Sequence, residues 1–370
     1  MLYVIPLIIY LFGFFYCDLK KSKKFSPFLQ IITFVYLTLL IGLRFEVGGD
    51  TINYMYDYEW RVPLSEWTPS LLDKFQPGYV FLCSLAKSIS PDFYVFQLIH
   101  VFILNLFIYI YVNKTAEYKF LSFAAVYFLC YIYFSTEILR ESLAVLVFLF
   151  NYDNYRNSRW LKYYWGVLIS CLFHISAVFL LILPVLSWLK FDRKFIFILL
   201  VGVFAVVFLD EIFILLSRVA VVGEKVSAHA GMSSLGFFAD LMGVLRRTIF
   251  PCMAICLIKY GMKLKFKFEN PIAIMALFGV ASFFSPIIFG RSVNYFIIFF
   301  AIAFADAIGT MVISKRVACR NNAKILILTF LLVYGSEYVM YNRYERFLPY
   351  YSIFNPISVN RDNFDRNNID

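Results

Sequence analysis

Apolar runs of membrane-spanning length, separated by short polar loops, recur along almost the whole chain. A spanning helix needs ~20 mostly apolar residues, and in lipid the backbone must satisfy its own hydrogen bonds. Candidate runs cover residues 2–17, 28–43, 93–112, 120–134, 139–152, 165–188, 195–216, 241–258, 271–289, 293–313 and 325–341. A shorter run, 79–89, reads as a helix at the membrane interface. With 62% hydrophobic and only 16% charged residues, the chain is neither an ordinary soluble domain nor a disordered one. The seven cysteines lie mostly inside apolar runs and form no CxxC, so no disulfide framework or zinc site is indicated.

Charge orients the spans. The loop after the first run carries Lys20, Lys21, Lys23 and Lys24, which places it in the cytoplasm and the N-terminus outside. The first run is read as a retained span, because the basic residues follow it and no small-residue cleavage site is visible. Further basic loops at 113–119, 156–162, 190–194, 259–267 and 315–324 belong inside as well. The run 165–188 then has basic loops at both ends. Two short helices meeting near Phe173-His174-Ile175-Ser176 resolve the conflict. The expectation is an all-α, single multi-span membrane domain over 1–370, with about twelve crossings including this broken-helix hairpin. Segments 44–75 and 210–240 and the tail 342–370 fall outside the cytoplasm.

The net charge of +10 therefore orients the chain and does not mark a nucleic-acid partner. Lysines crowd the inner loops, while arginines are frequent on the outer ones. The positive-inside rule does not explain outer arginines. Guanidinium pairs bidentately with phosphate and stays charged where water is scarce, so the outer face is expected to hold an anion such as pyrophosphate.

Several outer clusters carry that chemistry. In Arg44-Phe45-Glu46-Val47-Gly48-Gly49-Asp50, two glycines permit a sharp bend beside a ligand. In Thr136-Glu137-Ile138-Leu139-Arg140-Glu141-Ser142, Glu137, Arg140 and Glu141 are spaced to share a helical face at the start of a span. Acids suit that end of a helix, whereas Arg140 does not, which points to a bound anion. His174, at the tip of the broken helix, is a candidate base or hydrogen-bond donor to a phosphate. His100 and His229 lack such a setting. Arg246 and Arg247 open a span from outside, and Arg291 lies in a short outer turn before Tyr295. The tail Arg343 to Tyr351 is aromatic, as a headgroup belt or a sugar-stacking surface would be. Asp306 is an acid within a span and is read as hydrogen-bonded to neighbouring helices.

RFEVGGDTINY at 44–54, LRESLA at 139–144, LFHISA at 172–177, GRSVNYF at 290–296 and PYYSIF at 349–354 occur in the order seen in EpsG-like proteins. The chain resembles that family, which includes many Wzy-type O-antigen and capsular polysaccharide polymerases. Glu141 stands where the family pattern has Gln. The resemblance implies a fold like that of GT-C-type membrane glycosyltransferases in the bacterial inner membrane, active on its periplasmic face. It implies transfer of glycan from one undecaprenyl-pyrophosphate-linked oligosaccharide to another, with no cofactor and no metal. Membrane lipid is the surrounding partner, and a chain-length regulator and a flippase are expected partners. Arg44, Arg140, Arg246, Arg247 and Arg291 are the candidates for the pyrophosphates, and Tyr295 and Tyr350 for the glycan. Asp50 or His174 is the candidate base for the acceptor hydroxyl. A lipid-linked oligosaccharide flippase or transporter is the alternative, although no internal repeat supports it.

Overall fold

A computed structural model describes residues 2–22, 25–67, 76–192, 194–199, 201, 237–282, 286–340, 347–348 and 350–356. Expectations for residues 210–236, for His229 and for the tail over 343–346 lie outside these residues. Among the described residues the secondary structure is helical, with only isolated bridges of β type. Six helices are long and apolar enough to cross a membrane: Leu2–Leu19, Phe93–Thr115, Lys119–Thr136, Leu241–Gly261, Phe289–Ile313 and Val317–Gly335. Ser26–Gly42, Ile175–Leu186 and Glu269–Ala281 are shorter and also apolar. The chain is a multi-pass membrane protein of all-helical class. It divides into two compact units, Met1–Val178 with Ser336–Asp370, and Phe179–Gly335.

The first unit contains α1 (Leu2–Leu19), α2 (Ser26–Gly42), α3 (Thr51–Glu59), α4 (Pro77–Ile89), α5 (Phe93–Thr115), α6 (Lys119–Thr136), α7 (Leu139–Arg156) and α8 (Trp160–Phe173). Helices α2 and α5 run antiparallel. Gln97 at the start of α5 donates to Gly42 O at the end of α2, and Asn113 near the end of α5 donates to Gln30 near the start of α2. Buried hydroxyls tie the middle of this group together, with Tyr109 Oη 2.7 Å from Tyr10 Oη and 2.6 Å from Thr33 Oγ1. In a span a hydroxyl has few other partners, which makes such pairs local anchors. Helix α7 runs parallel to α5, touching it through His100 at one end and through the Lys114–Asp153 ion pair (2.6 Å) at the other.

This arrangement gives the unit two chemically distinct ends. One gathers Asp18, Lys20, Lys114, Lys119 and Asp153, where Asp18 accepts from the backbone N–H of Phe120. The opposite end gathers Arg44, Glu137 and Arg140. The lysine loops assigned to one side from sequence thus share an end, apart from the arginine motifs.

The second unit contains α9 (Leu241–Gly261), α10 (Glu269–Ala281), α11 (Pro286–Ile313) and, as far as Gly335, α12 (Val317–Met340). It too has a lysine end, where Lys259 pairs with Glu269 at 2.6 Å and Lys267 with Asp306 at 2.6 Å. Asp306 is 5% exposed, and its carboxylate is met by a loop lysine, not only by the neighbouring helices expected from sequence. A long lysine stem reaching in from the rim supplies the countercharge that an intramembrane acid requires.

The break expected near His174 is present. Helix α8 ends at Phe173, His174 adopts extended backbone angles (φ −154°, ψ 131°), and a 3-10 helix runs from Ile175 to Leu186. His174 caps that second helix. The Ser176 N–H donates to its Nδ1 (3.2 Å), and Ser176 Oγ lies 2.7 Å from the same atom. A neutral ring accepting at Nδ1 carries its proton on Nε2.

Close packing of α8 on α7 depends on Gly166. A Cβ there would overlap the Asn151 side chain, whose amide donates to Tyr163 O at 2.8 Å. Gly166→Leu is expected to cost about 1–3 kcal/mol through overpacking. It should lower the yield of monodisperse protein in detergent size exclusion, whereas the exposed neighbour change Trp165→Leu should leave that yield unaltered.

Candidate functional site

The first unit assembles three sequence motifs that are distant in the chain. Arg44 follows the last turn of α2 and is fully buried. Its guanidinium folds under its own turn, with Nη1 donating to Ile41 O (2.7 Å) and Nε to Val47 O (2.8 Å). The carbonyls at a helix C-terminus lack intrahelical partners, and Arg44 supplies a donor to one of them. Burial pushes this guanidinium down to about 10, with Tyr3, Glu137, Tyr131 and Tyr350 acting in the opposite direction, so it is charged at neutral pH. From α5, Gln97 donates to the carbonyls of Gly42 (2.8 Å) and Arg44 (2.9 Å).

The late motif closes on the same turn. Arg44 and Ser352 form an antiparallel bridge, Phe45 N donates to Tyr351 O, and Ile353 N donates to Leu43 O. Tyr350 donates to Leu40 O (2.8 Å) and packs edge-on against Tyr3.

The glycine turn then meets the second motif. Gly48 has φ +115°, a region in which side chains are strained, and a Cβ there would approach the Thr136 backbone oxygen at 3.2 Å. Gly49 N donates to Glu137 Oε1 at 2.7 Å. Glu137 therefore does not share the helical face of Arg140, contrary to the spacing argument. It sits in the break between α6 and α7, where Ile138 leaves helical geometry. The N–H groups at that break and the incoming glycine turn compete for acceptors, and the Glu137 carboxylate answers the turn.

Arg140 lies in the first turn of α7, half-buried between two tyrosines. Its Cζ is 5.6 Å from the Tyr54 ring centroid and 5.7 Å from that of Tyr79. Aromatic faces attract a guanidinium, and Arg140 also hydrogen-bonds the Tyr54 hydroxyl. Its Nε has no hydrogen-bond partner among the described residues. Tyr54 anchors the cage by donating to Glu137 O (3.3 Å). Burial pushes the Tyr54 hydroxyl up to about 12, with Arg140 lowering it and Asp50 raising it, so Arg140 and Asp50 both act on the same phenol. Asp50 itself is exposed at the start of α3.

The end of α8, just before His174, packs on the start of α4, which carries Tyr79. Gly78 of α4 fits against the Leu172 carbonyl (3.1 Å to a Cβ built there), two residues before His174 and one before Tyr79. His174 is 5% exposed.

Sequence reasoning missed two supports. His100 has no place at a helix break that would single it out in the sequence, yet its Nε2 lies 2.9 Å from Leu139 O and 3.2 Å from Ser142 Oγ, beneath the turn that carries Arg140. Gln97 and His100 are three residues apart within an apolar run, a spacing that puts both on one face and was the available signal.

The second unit holds its own arginine pair. Residues Leu245–Ile249 form a π-helical turn. Arg246 is buried, and its carbonyl accepts from Tyr334 (2.7 Å). Arg247 Nη1 donates to Ser282 Oγ (3.1 Å), and its guanidinium lies over Gly290, where a Cβ would come within 3.0 Å. Arg291 is exposed one residue further on, inside the continuous helix α11 and not in the short turn expected there. Tyr295 is fully buried with its ring edge-to-face on Phe179 (5.0 Å). That packing gives its ring a core role, in place of the sugar contact expected from its position after Arg291.

Among the described residues no group of three or more His, Cys, Asp or Glu is arranged to hold a metal. A family model described as the EpsG family matches residues 27–352, which include every candidate site residue named above. No curated protein and no solved structure matches the chain.

The glycine turn gives a specific expectation. Gly48→Ala should cost about 1–3 kcal/mol because its φ is closed to alanine. Gly49→Ala should be milder. Thermal unfolding of both variants in detergent checks the order, and equal midpoints would remove the turn's conformational role.

Proposed function

This chain belongs to the EpsG family, and we propose that it is a membrane glycosyltransferase that polymerises lipid-linked oligosaccharide repeat units. The carrier is undecaprenyl pyrophosphate, and the products are O-antigen or capsular polysaccharide made on the periplasmic face of the inner membrane. The observation that carries this reading is the Arg140 cage. It holds a partly exposed guanidinium at a helix N-terminus, with its Nε unpartnered among the described residues, which supports an anion there.

The step is a displacement at the anomeric carbon of the donor glycan. The acceptor hydroxyl oxygen forms the new glycosidic bond, and the bond to the carrier pyrophosphate breaks with its electron pair on the leaving oxygen. The hydroxyl proton passes to Asp50, which is exposed beside the cage, or to His174. Arg140 stabilises the charge that develops on the pyrophosphate, the role for which fixed donors in a site of limited water are most effective. Arg247, with its guanidinium fixed by Ser282, and the exposed Arg291 are the pyrophosphate candidates of the second unit. Arg44 is buried and acts by holding its turn, while the buried Arg246 stays a pyrophosphate candidate of the second unit. Tyr350, half-buried and tied to Leu40 O, shapes the rim of the cluster.

About twelve crossings with a fold like the GT-C glycosyltransferases remain part of this proposal. So does an orientation with the lysine ends in the cytoplasm. A chain-length regulator and a flippase are its proposed partners.

Deleting the gene should leave a surface glycan of single repeats, seen as loss of the ladder on a gel. Persistent long chains would remove the polymerase reading. Arg140→Lys should accumulate normally and still lose most polymerisation, since an ammonium cannot make the planar two-point contact. Full activity in that variant would exclude Arg140 from the anion site. For orientation, a cysteine at Ser22 should resist an impermeant maleimide applied from outside, whereas one at Tyr56 should react.

A further inference from the structure

Helix α3 has two faces of different fate. Tyr54 and Tyr58 are buried, and with Tyr79, Cys83 and Phe96 they form one packed cluster. Lys87 fixes the far end of the helix, donating to Tyr58 O (3.0 Å) and Glu59 O (2.8 Å) with its ammonium over the Tyr58 ring. Its orientation about its own axis is thereby set.

The opposite face carries Asn53, Tyr56 and Trp60, all exposed, with Tyr56 at 50% and Trp60 at 86%. These three follow Asp50 at intervals of three, three and four residues, the spacing of one helical stripe. The stripe rises about 15 Å from Asp50 to Trp60.

Its composition separates it from the lipid-facing surface of the same protein. The exposed large residues on the spans are predominantly aliphatic or Phe, as at Ile8, Leu11, Phe12, Leu328 and Leu332. The α3 stripe has none of these. Each of its side chains pairs a flat surface or short stem with a polar handle: an amide, a phenol and an indole N–H. A pyranose ring offers the matching chemistry, with apolar C–H faces that lie on aromatic rings and hydroxyls that bond to amides and phenols.

We propose that Asn53, Tyr56 and Trp60 form a glycan-binding track leading to Asp50, along which sugars of the repeat-unit substrate lie. This rests on the glycosyltransferase reading above and names where that enzyme holds sugar, as distinct from pyrophosphate.

The test uses the full-length protein in lipid nanodiscs. The probe is the strain's own surface polysaccharide, freed of lipid by mild acid and size-fractionated, with contact read by saturation-transfer NMR. Wild type should give saturation transfer, Tyr56→Ala/Trp60→Ala should lose it about tenfold or more, and Arg140→Ala should retain it. Trp60→Tyr should keep binding because a flat ring remains, whereas Trp60→Leu should lose it. Binding unchanged in the double variant, or preserved by Trp60→Leu, overturns the track. A protein retaining Trp60 as its single tryptophan distinguishes lipid contact. Strong quenching of that residue by brominated lipid overturns the proposal in favour of a membrane anchor. The two readings fail separately. Normal long chains in a deletion strain sink the polymerase. Chains that depend on Arg140, in a double variant that binds glycan as wild type does, sink only the track.

Discussion

One buried arginine holds the arginine-bearing end of the first unit together. Arg44 sits where α2 ends and the chain leaves its helix, a place where carbonyls lose their intrahelical donors. At a membrane boundary water is a poor substitute, so the fold uses the arginine's own side chain, reaching back to Ile41 and forward to Val47. Gln97 covers two further carbonyls from the neighbouring helix. With the backbone satisfied in this way, the glycine turn can lie against Thr136 and Glu137, and the two motifs that frame Arg140 become one structure. Arg44 and Arg140 divide the labour: one builds the turn, and the other, beside it, keeps its Nε unpartnered among the described residues.

The tyrosine cage follows the same economy of partners. An acid opposite Arg140 would neutralise it and compete with an anionic ligand. Ring faces attract the cation, and its Nε stays unpartnered among the described residues. His100, beneath the turn, adds a hydrogen bond to the carbonyl of Leu139 and fixes the start of α7 from below.

Much of the fold was legible because span length and loop charge are strong, independent signals. The break at His174 was legible from a charge conflict alone, since basic loops flank both ends of one apolar run. Other features required coordinates. Nothing near Ile138 resembles a helix breaker, so Glu137 read as sharing a helix with Arg140 when it stands one break earlier. Gln97 and His100 were passed over because polar residues in spans acquire meaning only from the backbone they meet. Tyr295 was over-read. An aromatic just after an outer arginine suits an interface belt, yet three residues beyond Ser292 the helix has already turned it into the packing around Phe179. Residue type and spacing indicate which chemistry is present, whereas the direction in which a side chain points depends on helix phase and neighbours.

The return of the C-terminal segment to Arg44 has a consequence in time. The first unit is discontinuous: its helical body comes from residues up to Val178, but Tyr351 to Ile353 must be made before they can pair with Leu43 and Phe45. Chains are inserted and begin to fold from the N-terminus during synthesis. The turn beside the Arg140 cage thus stays incomplete until residues that follow every described helix have been made, because its last backbone partners are Tyr351 and Ile353. A chain released early, even one with every described span in place, carries the arginines but not the clasp that sets them.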